Sequence, residues 1–365
     1  LFARLNQLPG VSEFAGRDER RVTLRFAGGT SAQVVVTKPV NAGAVLVQST
    51  GSEAHLRALA QHARALGHSL DGAALWHGST FVATPDEQAL YGALGLAVVP
   101  PELREGGDEI ARARDGTLPA LVERADLQGF LHCHTTYSDG SNSVRQVAEA
   151  CRAAGYAYVG ITDHSQAAAY AGGLSADDLA RQCDEIDAVN AALDGIRVLK
   201  GVEADILQDG ALDYPAAVLD RLDFVIGSIH SRFNMPGPEM TARVLAAMDD
   251  PHLTIVGHPT GRLLLARDPY ALDLDAVIAK AAASGVALEI NADPHRLDLD
   301  WRVLPQARAA GVTISLGADA HNLAGLDNVS FGVGIARKGG LTAADVLNTR
   351  SVDGFLAFAA ARRAR

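Results

Sequence analysis

From residue 129 onward the chain repeats one pattern: a short, nearly continuous apolar run, then a longer stretch with helical spacing. The runs are GFLHCHT at 129–135, YVGITDH at 158–164, VLKGVEADI at 198–206, FVIGSIHS at 224–231, LTIVGHPT at 253–260, VALEINA at 286–292 and TISLGADAH at 313–321. Continuous Val/Ile/Leu runs of this length predict strands of a parallel sheet covered on both faces. The intervening stretches, such as VRQVAEACRAAGY at 144–156 and LDAVIAKAAASG at 274–285, predict crossover helices. Seven strand-then-helix units in succession predict an α/β fold, a (β/α)7 TIM-like barrel rather than a sandwich. Such a barrel carries its reactive residues at the C-terminal ends of its strands.

The first third follows other periods. RRVTLRF and AQVVV predict two antiparallel strands joined by a turn at Gly28-Gly29. EAHLRALAQHARALG at 53–67 predicts a helix with Gly67 as its C-cap. A short helix is expected between Pro85 and Pro101, ended by Pro100-Pro101. Residues 112–125 read as a connector, and the basic tail ARRAR is expected to fray.

Composition narrows the function. The 365 residues are 48% hydrophobic and 21% charged, which excludes a long disordered chain. No apolar run reaches the ~18 residues of a membrane span and no signal peptide is visible, so a cytoplasmic, non-membrane protein is expected. The net charge of −11 disfavours a simple basic-groove DNA binder and leaves a metal-assisted nuclease open. Cys133, Cys151 and Cys183 form no Cys-x-x-Cys pair, which predicts a reducing compartment without disulfides. Leu1 in place of a methionine predicts that the sequence is part of a longer chain.

Six of the twelve histidines fall at the ends of apolar runs. Run one ends His132-Cys133-His134, an i, i+2 pair that shares one face of a strand, with Cys133 turned away into packing. Asp139 follows in YSDG. Then come His164, Glu203, His230 and His258, and run seven ends Asp319-Ala320-His321. Nine clustered titratable groups carry a heavy desolvation and repulsion cost unless cations are present. Imidazole with carboxylate suits zinc, manganese or iron, and nine donors exceed one tetrahedral ion, so two to three divalent cations are expected. The expected chemistry is metal-assisted hydrolysis of a phosphodiester or phosphomonoester. Glu203 is the candidate bridge between ions. Asp319 is the candidate that polarises the attacking water. Arg262 and Arg296, after runs five and six, are candidate phosphate clamps. The bland reading of each arginine is a loop salt bridge, with Asp298 and Asp300 close to Arg296 in sequence. Asp163 is expected to orient an imidazole.

The series HxH, SDG, TDH, E, H, H, DxH resembles the polymerase-and-histidinol-phosphatase (PHP) domain. GHPTGR at 257–262, EINADPHRLDL at 289–299 and DVLNTR at 345–350 resemble more specifically the PHP domain of bacterial family X DNA polymerases. STGSEAH at 49–55 resembles the end of that family's palm, and VVPPELREGGDEI at 98–110 its thumb. The resemblance implies three domains: a palm remnant at 1–68, a thumb-like segment and linker at 69–125, and the PHP phosphoesterase barrel at 126–365. It implies that the (β/α)7 TIM-like barrel is distorted and holds three metal ions on His132, His134, Asp139, His164, Glu203, His230, His258, Asp319 and His321. It also implies a manganese-dependent 3′-5′ exonuclease acting on DNA 3′ ends in repair, on gapped or damaged duplex and at abasic sites. Magnesium is implied for the polymerase part of a full-length protein. DNA is the implied partner, with no membrane and no obligate protein, in the bacterial cytoplasm and on the nucleoid through DNA.

The chain departs from the family at Phe130, where the family often has Asp, and more deeply in the polymerase half. The third nucleotidyl-transfer carboxylate falls on Gln33, the aromatic pair before TGS reads Gln48-Ser49, and a usual Asn reads Leu56. An amide cannot replace a carboxylate between two cations, so the polymerase site is expected to be absent or eroded. The alternatives are a phosphomonoesterase of the histidinol-phosphatase type, which has no need of residues 1–120, and a non-catalytic DNA-end binding scaffold, which has no need of nine ligands.

Overall fold

The computed structural model describes residues 2–5, 8–18, 20–71 and 74–364. The chain divides into two compact units, Leu1–Leu118 and Pro119–Arg365. No helix among the described residues is long and apolar enough to cross a membrane.

The first unit holds two small antiparallel sheets. In one, β1 (Val11–Arg17), β2 (Arg21–Phe26) and β3 (Ser31–Val35) pair in sequence order. The expected pair is β2–β3. β1 escapes the sequence pattern because its pairing with β2 slips twice, between Val11 and Glu13 and between Phe14 and Gly16, which breaks the alternation. The helix Glu53–Ala65 begins where Ser52 Oγ accepts the His55 N–H. It ends at Leu66, before Gly67 at φ +75°, a conformation glycine adopts without penalty. β4 (His68–Asp71), β5 (Ala74–His77) and β6 (Thr80–Val82) form the second sheet. The helix Glu87–Ala93 stops at Leu94-Gly95, ahead of the prolines; Pro101 instead opens a 3-10 turn, Pro101–Leu103. Residues up to 118 stay with this unit, whereas Val122 donates its N–H to Leu341 and so joins the second.

The second unit is the barrel. Its strands are β7 (Gly129–Cys133), β8 (Tyr158–Ile161), β9 (Arg197–Lys200), β10 (Glu203–Asp205), β11 (Val225–Ser228), β12 (Leu253–Val256), β13 (Ala287–Asn291) and β14 (Ile314–Ala320). Hydrogen-bonded order runs β10-β11-β12-β13-β14-β7-β8-β9, all parallel. β9 and β10 are halves of one interrupted strand, the third apolar run, so the order closes into a ring of seven. The interruption falls at Gly201-Val202. A Cβ on Gly201 would lie 2.6 Å from the Phe224 ring and 2.7 Å from the Ile161 carbonyl, so no side chain fits where the strand bends around Phe224. Helices Val144–Ala153, Ala176–Ala192, Gly237–Ala247, Leu274–Ser284 and Val329–Lys338 pack apolar residues such as Val147, Ile186, Val244, Val277 and Val333 into the core around the strands.

The C-terminal helix Val352–Arg363 supplies Phe355 to a separate core with Leu131, Tyr158, Leu199, Phe224 and Ile255. The Phe355 ring lies edge-on to Phe224 at 5.2 Å. Up to Ala364 the tail does not fray as expected, and Arg365 lies outside the described residues. Arg362 is buried and donates to the carbonyls of Met248 and Asp250, and Arg363 donates to those of Leu219 and Leu222. Guanidinium donors thus satisfy carbonyls that the apolar environment would leave unpaired.

Candidate metal centre

All nine residues expected at the strand ends converge. Glu203 is the hub. Its Oε1 lies 2.9 Å from His258 Nε2 and 3.3 Å from both His132 Nε2 and His230 Nε2. Its Oε2 lies 3.0 Å from His164 Nδ1 and 3.7 Å from His134 Nε2. Asp319 Oδ1 faces His134 Nε2 at 3.2 Å and His132 Nε2 at 3.6 Å. Asp139 Oδ1 faces His321, His164 and His134 at 3.3, 3.8 and 4.0 Å. The rings of His164 and His321 stack on that of His134 at 4.4 and 4.2 Å.

Among the described residues, three groups of donor atoms are close enough to share an ion: His134, Asp139, His164 and His321; His132, His134 and Asp319; His164, Glu203 and His230. His258 lies outside these groups but against Glu203. The donors fit cations on a second ground. His132 Nε2, His134 Nδ1, His164 Nδ1 and Glu203 Oε2 are buried polar atoms, and none of their close contacts has the geometry of a hydrogen bond. Each such atom costs about 1–3 kcal/mol left alone, and a shared divalent ion would satisfy them. An imidazole-and-carboxylate donor set suits transition-metal ions.

The backbone is turned to make this face. His132, His258 and Asp319 have φ of +62°, +25° and +53°. Non-glycine residues rarely adopt these values, and strain of this kind concentrates at functional sites. The His132/His134 pair therefore shares its face through a twisted rather than a regular strand end. Cys133 points away as expected, its Sγ donating to the Gly160 carbonyl at 3.3 Å.

Residues that sequence reasoning missed hold the candidate ligands in place. Glu289, fully buried on β13, accepts from His132 Nδ1 at 2.6 Å and from the His258 backbone N–H at 2.7 Å. Gly317 makes room for it, since a Cβ there would lie 1.8 Å from Glu289 Oε1. Asp205 accepts from His230 Nδ1 at 2.6 Å, and Asn291 Nδ2 donates to Asp319 Oδ2 at 3.1 Å. Carboxylates behind imidazoles fix ring orientation and raise ligand basicity. Both carboxylates had a signal: Glu289 is a lone acid in an apolar run, and Asp205 is two residues from Glu203 on the same strand.

Charges in the cluster are strongly coupled. Burial alone would lower the His132 pKa, but Glu289, Glu203 and Asp319 outweigh it and raise it well above the usual value. Burial likewise opposes, and Glu203 and Asp205 overcome, so that His230 is raised to about 10. His258 goes the other way, to about 4, through burial and the nearby Arg296. Burial would raise the Glu203 pKa, yet His132, His230 and His164 hold it well below the usual carboxylate range.

The two arginines part company. Arg262 donates through Nε to the Arg296 carbonyl at 2.9 Å, through Nη1 to Asp300 at 3.0 Å, and through Nη2 to the Leu297 carbonyl. It braces two loops and is not brought to the cluster. Arg296 is brought there. Its Nε lies 3.4 Å from Asp319 Oδ2, and its buried Nη1 has no partner. Asp163 does not orient an imidazole. It accepts from Thr135 N, Thr135 Oγ1, Ser138 N, Ser138 Oγ and Gln182 Nε2, and so fixes the loop that carries Asp139.

In the first unit, Gln33, Gln48, Ser49 and Leu56 line one open cleft of about 850 Å³, together with Asp18, Arg20 and Arg21. The altered positions of the polymerase-like half thus share one location.

Residues 131–293 match the PHP domain family, and residues 45–105 match the DNA polymerase beta thumb family. The DNA polymerase/3'-5' exonuclease PolX of Bacillus subtilis (strain 168) is 40% identical over 359 residues, which span 97% of this chain and 63% of that protein. A probable phosphatase of Caldicellulosiruptor saccharolyticus is 30% identical over 174 residues, 45% of this chain and 66% of that protein. The chain therefore spans less than two thirds of the length of either relative. Among solved structures, a histidinol phosphate phosphatase of Lactococcus lactis, complexed with zinc, L-histidinol and phosphate, overlaps 58% of this chain and 94% of its own, at 17% identity and a TM-score of 0.42.

Proposed function

Since the chain belongs to the bacterial family X DNA polymerases that carry a PHP domain, we propose that it hydrolyses the terminal phosphodiester at DNA 3′ ends with two to three divalent cations, manganese or zinc. The observation that carries this reading is the hub: one fully buried carboxylate, Glu203, approached by five imidazoles. The ligands would be His132, His134, Asp139, His164, Glu203, His230, His258, Asp319 and His321. Bound cations neutralise charge on the phosphoryl oxygens and lower the pKa of water.

The chain's own residues do the rest. Glu203 turns one oxygen to His132, His230 and His258 and the other to His134 and His164, so it would be the ligand that bound cations share. Glu289 and Asp205 keep His132 and His230 turned inward, each with its second ring nitrogen toward Glu203. Arg296 Nη1 binds a non-bridging phosphoryl oxygen, which gives that buried donor its partner. Asp319 accepts a proton from the attacking water. The water oxygen joins phosphorus, the bond from phosphorus to the penultimate 3′ oxygen breaks, and that oxygen takes up a proton. The products are a 5′-mononucleotide and a DNA end with a free 3′ hydroxyl. The palm-like and thumb-like segments before residue 119 are proposed to grip DNA rather than to extend it. Abasic-site cleavage and action on gapped or damaged duplex belong to the same proposal, as does a cytoplasmic location on DNA.

The test is 3′-labelled DNA against histidinol phosphate, each with manganese and with chelator. Label released only from DNA and only with metal is the expected result. Histidinol phosphate turned over in preference to DNA would make the protein a small-molecule phosphatase. DNA binding without release of label in either condition would make it a scaffold.

A further inference from the structure

Tyr170 stands at the edge of the cluster and has no role in the chemistry above. It is 73% exposed, yet its ring lies 6.4 Å from that of His164 and 6.5 Å from that of His230, two of the residues around Glu203. Single exposed aromatics are common and need no explanation by themselves. What separates this one is the effort spent on holding it still. Its turn, Ala169–Ala171, closes with Gly172 at φ +69°. The segment is clamped at its base by Leu174 N–H to the His164 carbonyl at 2.9 Å and Ser165 N–H to the Glu203 carbonyl at 3.0 Å. Ala171 and Gly173 both donate to the Ala168 carbonyl. Asp213 accepts the Ala167 N–H at 2.6 Å and Gln166 Nε2 reaches its carbonyl at 3.1 Å. Gly173 admits no side chain, because a Cβ there would lie 1.9 Å from the Ser165 carbonyl oxygen. A loop fixed at both ends to ligand-bearing strands therefore presents an open aromatic face beside the phosphate site.

We propose that Tyr170 is a specificity-determining residue, the platform on which the nucleobase of the scissile 3′-terminal nucleotide stacks once it leaves the DNA helix. The inference rests on the proposed hydrolysis of DNA ends and names how that site reads its substrate. A terminal nucleotide has its phosphate and its base within one residue's span, so a phosphate at Arg296 and the cluster brings the base to the rim. Stacking on a pre-positioned ring accepts every base, because each has a π face, and selects nucleotides over phosphate esters without one. The cost of ordering the loop has already been met in folding.

Two measurements test this on the full chain loaded with manganese. The first titrates 2-aminopurine deoxyribonucleoside 5′-monophosphate, read by its fluorescence. The second compares kcat/KM for a normal 3′-terminal nucleotide with that for an abasic one. Tyr170→Ala is expected to weaken nucleotide binding about ten- to a hundredfold and to collapse the preference for the base-bearing end by a similar factor. Tyr170→Phe, which keeps the ring, is expected to retain both. Nucleotide binding by Tyr170→Ala equal to wild type, an unchanged preference, or a Phe variant as defective as Ala would overturn the proposal, as would a wild type that does not bind the nucleotide. Failure of wild type to hydrolyse DNA ends, with nucleotide binding intact and dependent on Tyr170, would instead overturn the reading of the reaction.

Discussion

Glu289 Oε1 lies 2.6 Å from His132 Nδ1, while the other oxygen of the same carboxylate accepts the backbone N–H of His258 at 2.7 Å. One side chain therefore sets the ring of one candidate ligand and the backbone of another. Glu289→Gln keeps the shape but turns one acceptor into a donor, which meets either an imidazole N–H or an amide N–H. Manganese or zinc affinity is expected to fall about 10- to 100-fold, measured by metal titration, with the circular dichroism spectrum unchanged. Wild-type affinity in this variant would remove Glu289 from the support of the site.

The two arginines should separate stability from catalysis. Arg262→Ala removes bonds to two carbonyls and Asp300, so unfolding free energy should drop by about 1–3 kcal/mol. Arg296→Ala leaves those bonds and removes a free donor beside Asp319, so kcat/KM should fall on the order of a hundredfold with little change in Tm. The reverse pattern, a catalytic loss at Arg262 and a stability loss at Arg296, would invert their roles.

Much of this was legible in advance, and the reasons are physical. Strands covered on both faces are written as continuous apolar runs, so the seven-strand barrel and the residues that converge at its strand ends could be read directly. The break at Gly201-Val202 could not, because it arises from the fit against Phe224, a residue in the next run. β1 was illegible because its register slips break the alternation, and β4 to β6 because they are short and mostly exposed or half-exposed, with little apolar face to pattern. Glu289 stands out as a lone acid in an apolar run, but its role does not, since only tertiary structure brings His132 and the space above Gly317 to it. The partners of Arg262 and Arg362 are mainly backbone carbonyls, which leave no trace in sequence.

A pH effect is expected in the first unit. His55 is buried between Glu109 (2.7 Å) and the Tyr91 hydroxyl (3.1 Å). Burial lowers its pKa more than Glu109 raises it. The folded state thus holds fewer protons than the unfolded state just below the unfolded value of about 6.5. The contribution is fully present above that value and is lost as pH falls toward the lowered folded pKa. In a Trp301→Phe background, where Trp76 reports on this unit, the Tm should decrease below about pH 6.5. His55→Gln should flatten that slope. An unaltered slope in His55→Gln would assign the effect to another group.

The polymerase-like cleft should be silent. Gln33 stands where the resemblance implies a carboxylate, and a neutral amide does little to hold two mutually repelling cations. Primer extension by this chain, assayed with magnesium and with manganese in a His134→Ala background to prevent degradation, is expected to be absent. Robust extension with Gln33 in place would show that another residue supplies the charge.

The most direct measurement follows 3′-labelled DNA with the metal-depleted chain and with Glu203→Gln, as manganese is added back. The account predicts that wild type releases labelled 5′-mononucleotide in step with metal bound. Glu203→Gln should stay folded, bind less metal and lose at least a hundredfold in rate, because the negative charge at the centre of the five imidazoles is gone. Mononucleotide release by Glu203→Gln at the wild-type rate, or by wild type in the presence of excess chelator, would contradict the account.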